Sequence, residues 1–177
     1  MTHNTITKIL IVVSLVFASH ITAFAQKEVS EKEMIKVYDK IHATHKYGLV
    51  ITAPTAEQMT DSPSIFRKGD TWYMYYIIFD GRGYETWMAT SKNLLDWQTV
   101  GRVMSFSQAS DWDSTQKAGY ISLIDTKWGG SYNIEKYDGR YWMSYLGGNS
   151  SGYEAGTLAV GVAYTEDEPT IAKEWHR

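Results

Sequence analysis

The chain alternates short apolar and aromatic runs with clusters of turn residues, and that pattern predicts strands. Ser64 to Lys68, Thr71 to Phe79, Tyr84 to Thr90 and Leu94 to Val100 read as four strands, each rich in β-branched or aromatic side chains. Gly69-Asp70, Asp80-Gly81-Arg82-Gly83 and Lys92-Asn93 supply the turns between them. The second strand, Thr71 to Phe79, is apolar or aromatic at both alternating sets of positions. A strand of that kind needs cover on both faces, as in a sheet stacked between neighbours.

The pattern then recurs. Asp61 to Trp97 is repeated with drift from Gly130 to Trp175, so that Ile65 aligns with Ile134 at an offset of 69 residues. The same offset relates Gly83-Tyr84-Glu85 to Gly152-Tyr153-Glu154. With five residues inserted, Trp87 to Ser91 realigns with Gly161 to Thr165, and both copies end on an acid followed by Trp, at Trp97 and Trp175. The second copy predicts strands around Tyr132 to Lys136, Arg140 to Leu146, Leu158 to Thr165 and near Trp175. Repeated units of several short aromatic strands are the mark of β-propeller blades. The expected fold is therefore all-β, with two four-stranded antiparallel blades: blade one about 61–100, an interblade loop about 101–129 and blade two about 130–177. Propellers close with roughly four to eight blades. A chain of 177 residues has room for two at this spacing, so the missing blades are expected from a longer chain or a partner assembly.

Ahead of the repeats, residues 1–25 carry Lys8, an apolar run from Ile9 to Ala18 and a small-x-small site at Ala23-Phe24-Ala25. This is the pattern of an export signal, too short to span a bilayer, so the mature chain is expected outside the cytoplasm, in a periplasm or the medium, without a membrane anchor. In the segment 26–46, Ser30-Glu31-Lys32-Glu33 reads as a capping box, and Met34, Val37, Tyr38 and Ile41 follow at helical spacing. A short amphipathic helix packed on the outside of the fold is expected. His42 and His45 behind it read as metal ligands or as surface and packing residues, with no third ligand in view.

Composition narrows the function. The chain has no Cys, a formal charge of −3 and 14% aromatic residues. An exported chain without Cys must be stabilised by burial rather than disulfides. Scattered Lys and Arg on a slightly acidic chain give no electrostatic support to nucleic-acid or anionic-membrane binding, and a neutral partner is expected.

The run Ser62 to Tyr76, followed by Trp87-Met88-Ala89-Thr90-Ser91-Lys92-Asn93-Leu94-Leu95-Asp96-Trp97, resembles the first blade of the five-bladed propeller glycoside hydrolases, the group containing families 43, 32, 117 and 130. The resemblance covers about residues 47 to 177 and implies cleavage of glycosidic bonds in a funnel at the propeller axis. In family 43, three carboxyl groups from the first three blades serve as base, pKa modulator and acid. One activates water and another protonates the leaving oxygen, with an inverting pair standing about 6.5–9.5 Å apart. The base lies at the start of the innermost strand of blade one, where Asp61 stands here. The usual pattern puts this Asp directly before Pro and three residues ahead of the aliphatic position, whereas Asp61 is four ahead of Ile65 with Ser62 between. Asp61 is thus the general base or a turn cap. The modulator position, directly before the aliphatic residue of blade two, carries Asn133, which cannot ionise but can hydrogen-bond a substrate. The acid is expected from a third blade. The resemblance requires no cofactor, and no residue identifies the structural cation found in some relatives.

Other candidates each have two readings. Glu85 and Glu154 are funnel carboxylates, one of them the acid, or a repeated blade feature; Asp113 is a further acid candidate, with Asp125 beside it in rank. Arg82 orients a carboxylate or substrate, or is a turn residue. Trp112 and Trp128, in the long stretch Ser105 to Gly130, stack on sugar rings or pack between blades. The expected function is an exported glycoside hydrolase acting on an oligo- or polysaccharide, present as two blades. The alternatives are a non-catalytic carbohydrate-binding propeller and an inactive fragment.

Overall fold

A computed structural model of the protein describes residues 28–177. The expected signal, 1–25, lies outside the described residues. The chain divides into two compact units, Met1–Lys46 and Tyr47–Arg177.

In the first unit, helix α1 (Glu31–Ile41) begins where the capping box predicts. The Glu33 amide donates to Ser30 Oγ at 3.3 Å, but the Glu33 carboxylate accepts from the Ser30 hydroxyl rather than from its amide. The cap is therefore half of the reciprocal box. None of the helix residues is buried. No helix among the described residues is long and apolar enough to cross a membrane.

The second unit is one open sheet of seven strands: β1 (Met59–Lys68), β2 (Thr71–Phe79), β3 (Tyr84–Ser91), β4 (Gln98–Met104), β5 (Gln116–Ile121), β6 (Tyr141–Gly148) and β7 (Ala159–Thr165). The first four form an antiparallel meander, as predicted. Two boundaries move. β1 begins at Met59, five residues early, and β4 begins at Gln98 because Ser91 to Trp97 fold into a turn tied by their own side chains. Asn93 Oδ1 accepts from the amides of Leu95 and Asp96, both at 2.9 Å, and Trp97 Nε1 donates to the Leu94 carbonyl. These bonds give the backbone an alternative to the ladder.

The larger departure is in the second repeat. Its first strand is not 132–136 but β5, which lies in the stretch read as an interblade loop. Ile121 pairs with Met143 as Ile65 pairs with Met74, so Ile121, not Ile134, holds the aliphatic place of the inner strand. A side chain at Gly119 would strike the Met143 sulfur and the Thr86 hydroxyl; this glycine lets β5 lie close against the first four strands. The sequence copy at 131–136 instead turns back on itself, with Ile124 bridging Ile134 and the Arg67 amide donating to the Tyr132 carbonyl. β6 and β7 fall where predicted, and the fourth element is a single bridge of His176 to Tyr164.

The two sets of strands stack face to face. Phe66, Tyr75, Met88, Val103 and Met104 meet Ile121, Tyr141, Met143, Tyr145 and Ala163, with Trp175 closing the cluster. Five consecutive residues of β2, Met74 to Ile78, are buried, as its two-sided apolar pattern requires. Its other face carries Met74, Tyr76 and Ile78 with Ala89, packed against Ile51, Trp87 and Trp97.

Candidate functional site at one end of the sheet

Alternating strand directions sort the loops to two ends. The start of β1, the turn 80–83, the loop 105–115 and the loop 149–158 share one end, which we call the upper rim; 69–70, 92–97 and 122–140 lie at the other. The rim is knit together by short contacts. The Arg82 guanidinium lies 3.5 Å from the centroid of Phe106, the Gly152 amide donates to the Arg82 carbonyl at 2.7 Å, and Tyr153 meets Phe79 and Tyr84 edge-on. Burial, with the charges of Tyr153 and Glu154 nearby, pushes the Tyr84 phenol up to about 12. The Gly-Tyr pairs of the two repeats thus converge here.

Asp61 is exposed on this rim, in β1 and opposite Ile77. The extra residue that displaced it from the family pattern is absorbed by a bulge. Between Asp61 and Ser64 the strand advances three residues while its partner, from Ile77 to Tyr75, advances two. Asp61 therefore holds the ladder position of a residue three ahead of Ile65, and Ser62 takes up the strain at φ 48°. Its carboxylate accepts from the Ser62 hydroxyl at 3.0 Å. It lines a shallow cleft with Leu49, Ile51, Pro63, Met74 and Tyr76.

Glu85 and Glu154 are both at the rim but are not equivalent. Glu85 is buried in β3, where Oε1 accepts from Ser105 Oγ at 2.5 Å and Oε2 faces Arg102 Nε at 3.2 Å. Arg102 in turn lies over Trp87. Glu154 is exposed in the loop at φ 49°. Asp113 is buried, accepting from Tyr145 OH at 2.7 Å and from Arg177 at 2.6 Å. Glu85 and Asp113 thus have both oxygens engaged by the protein itself, which leaves Asp61 and Glu154 facing solvent. Trp112, half-exposed, stacks on Tyr145.

Sequence reading missed Lys117 and Arg177. Lys117, wholly buried in β5, donates to the Ser105 carbonyl at 2.5 Å and to Ser107 Oγ at 2.9 Å. Burial, then the Arg177 charge, draws its ammonium below the usual lysine range. A lone Lys in a stretch read as loop carries no sequence signal, and Arg177 reaches the site only because the segment after β7 turns back toward the rim.

Trp128 and Asn133 lie at the opposite end. Asn133 bridges Arg67, six residues along β1 from Asp61, or about 20 Å at strand rise. It is not at the modulator place; the residue before Ile121 there is Tyr120, partly exposed and not a carboxylate. Trp128 is 95% exposed at the tip of a loop anchored by Asp125, whose carboxylate accepts from the Ser131 hydroxyl and amide at 2.7 Å and from the Lys127 amide at 3.2 Å. The Ser131 hydroxyl first, then these amides, hold Asp125 below its ordinary 3.8. With the folded pKa depressed, the anchor's contribution is complete above the unfolded value of 3.8 and is lost as pH falls from there through the lower folded value. Amide protection at Ser131 is expected to drop below about pH 4, and Asp125→Asn to lower it at neutral pH; protection unchanged by both would remove Asp125 as the anchor.

Among the described residues, no group of three or more His, Asp or Glu is placed to hold a metal ion.

In architecture the chain stands with the propeller-type glycoside hydrolases. It is similar to BT0996, solved in a complex with RGII, at 43% identity and a TM-score of 0.76, over 84% of this chain and 44% of that one. A second solved protein, described as a glycoside hydrolase, is 41% identical at a TM-score of 0.75, again over 84% and 44%. A third, Zg3597, a family 117 glycoside hydrolase produced by the marine bacterium Zobellia galactanivorans, is 18% identical at a TM-score of 0.49, over 63% of this chain and 36% of that one. The chain spans less than half the length of these solved proteins. No family model and no curated protein matches it.

Proposed function

We propose that the chain is the two-blade part of an exported glycoside hydrolase whose substrate is a carbohydrate, with Asp61 activating water and Glu154 serving as the proton donor. One observation carries this reading: in a chain 41% identical to a glycoside hydrolase, the two solvent-facing candidate carboxylates open at the same end of the sheet. Glycoside hydrolysis needs two such groups with divided roles, one deprotonated beside water and one protonated beside the leaving oxygen. Glu85 and Asp113 suit neither role, because Arg102, Ser105, Tyr145 and Arg177 occupy their oxygens.

The first glycan to test is RGII, the partner of BT0996 in its solved complex. In the full-length protein, Glu154→Gln is expected to lower hydrolysis of this glycan by about 10²–10⁴-fold, while an activated aryl glycoside, whose leaving group needs no proton, loses less than about 10-fold. Equal losses on both substrates would take the acid role from Glu154. A second reading, a carbohydrate-binding propeller without catalysis, draws on Tyr120, a residue other than a carboxylate, at the modulator place. Binding of the glycan with no product released by full-length protein would favour it.

A further inference from the structure

The loop Ser110-Asp111-Trp112-Asp113 builds a feature that neither proposed catalytic group uses. Trp112 lies against Tyr145, ring centroids 5.8 Å apart and planes 29° from parallel. It can lie this close to β6 because the facing residue is Gly147; a Cβ there would enter the six-membered ring of Trp112. The next residue fixes the ring's position, since Asp113 is buried and tied to Tyr145 OH and to Arg177. Trp112 nevertheless keeps 47% exposure, so the indole rests one face on the protein and turns the other to solvent. Trp112 lines a cleft of about 470 Å³ together with Ser110, Asp111, Asp113, Tyr145 and Arg177. A rigid flat ring beside a few polar groups complements a sugar ring, whose C–H face is apolar and whose edge is hydroxylated.

The charges in the cleft select among sugars. Both terminal nitrogens of Arg177 are engaged, one by Asp113 and the Ser107 hydroxyl, the other facing Asp111 at 3.5 Å. Lys117 is buried behind them on Ser105 and Ser107. The Asp111 side chain remains 37% exposed, and the Ser107 hydroxyl, with Arg177, keeps its carboxyl below the usual range. A sugar carboxylate entering here would meet an anion, with the nearby cations already held by acceptors of the chain. Sugar hydroxyls would instead donate to Asp111 in charge-assisted hydrogen bonds.

We propose that this cleft is a subsite for a neutral sugar ring of the glycan, stacked on Trp112 and hydrogen-bonded to Asp111; the proposal rests on the glycosidase reading above. The test is calorimetric titration of RGII glycan into full-length protein carrying Asp61→Asn, which slows turnover about 10²–10⁴-fold. Adding Trp112→Ala is expected to weaken binding at least about 10-fold, and Trp112→Phe, which keeps a flat ring, by less than about 3-fold. Adding Asp111→Asn is expected to weaken binding, whereas an acidic sugar in the cleft would bind more tightly once that charge is gone. Thermal melts of each variant show whether the loop still folds. Unchanged affinity in Trp112→Ala, or tighter binding in Asp111→Asn, overturns the subsite and leaves the glycosidase reading standing. No binding by the Asp61→Asn protein and no cleavage by the unaltered one overturn both.

Discussion

Asp61→Asn in the full-length protein is expected to bind glycan as the unaltered protein does and to hydrolyse it about 10²–10⁴-fold more slowly, the usual cost of losing a positioned base. The expectation depends on where the bulge puts the residue. By spacing alone, a one-residue shift against the family pattern turns a side chain to the other face of its strand. The ladder shows the shift undone, because the extra residue is taken up at Ser62-Pro63 and pairing resumes at Ser64. A carboxylate is needed rather than a polar group of the same size, since an amide cannot accept the proton from water. The informative measurement is therefore kcat and KM together: a fall in kcat at unchanged KM fits a group acting in the transition state. Turnover within 3-fold of the unaltered enzyme would remove Asp61 from the chemistry, and a rise in KM alone would make it a binding residue.

The bulge also shows what the sequence could and could not disclose. β2, β3, β6 and β7 were legible because runs such as Trp72 to Phe79 and Tyr141 to Leu146 carry their own periodicity. β5 was not. Gln116-Lys117-Ala118-Gly119-Tyr120-Ile121 has the composition of a loop, and it forms a strand because tertiary contacts favour it: Thr86 Oγ1 donates to the Lys117 carbonyl at 2.8 Å and accepts from the Gly119 amide at 2.7 Å. The stretch that copies β1 in sequence, near Asn133, was displaced by that pairing. The same holds for the rim. Asp61, Arg82, Glu154 and Trp112 were visible as residue types, but the repeat made Glu85 and Glu154 look alike. Only the fold separates a carboxylate locked on Ser105 and Arg102 from one in open solvent.

Replacing Phe66 by Ala is expected to cost roughly 3–5 kcal/mol of stability, a large share of the 5–15 typical of a domain. Phe66 has no exposed surface. It stacks on Tyr73, centroids 5.3 Å apart, and takes the edge of Tyr75 at 5.5 Å; Tyr75 in turn meets Trp175 edge-on at 5.8 Å and donates to the Pro169 carbonyl at 2.7 Å. Burial drives the Tyr75 phenol well above its ordinary range, so this bond is made by a neutral hydroxyl at any working pH. Removing the phenyl ring leaves a void beside Tyr73 and Tyr75, both held on β2, and neither can swing in freely because Tyr75 is also tied to Pro169 and Trp175. Urea unfolding measures the loss, with Phe66→Leu expected to cost less than half as much and Val160→Ala, on an exposed face, to stay within about 0.5 kcal/mol. A cost below about 1 kcal/mol for Phe66→Ala would mean that the two sets of strands are not packed face to face. The rim would then lose its basis, because Asp61 and Glu154 belong to different sets and share one end only through that stacking.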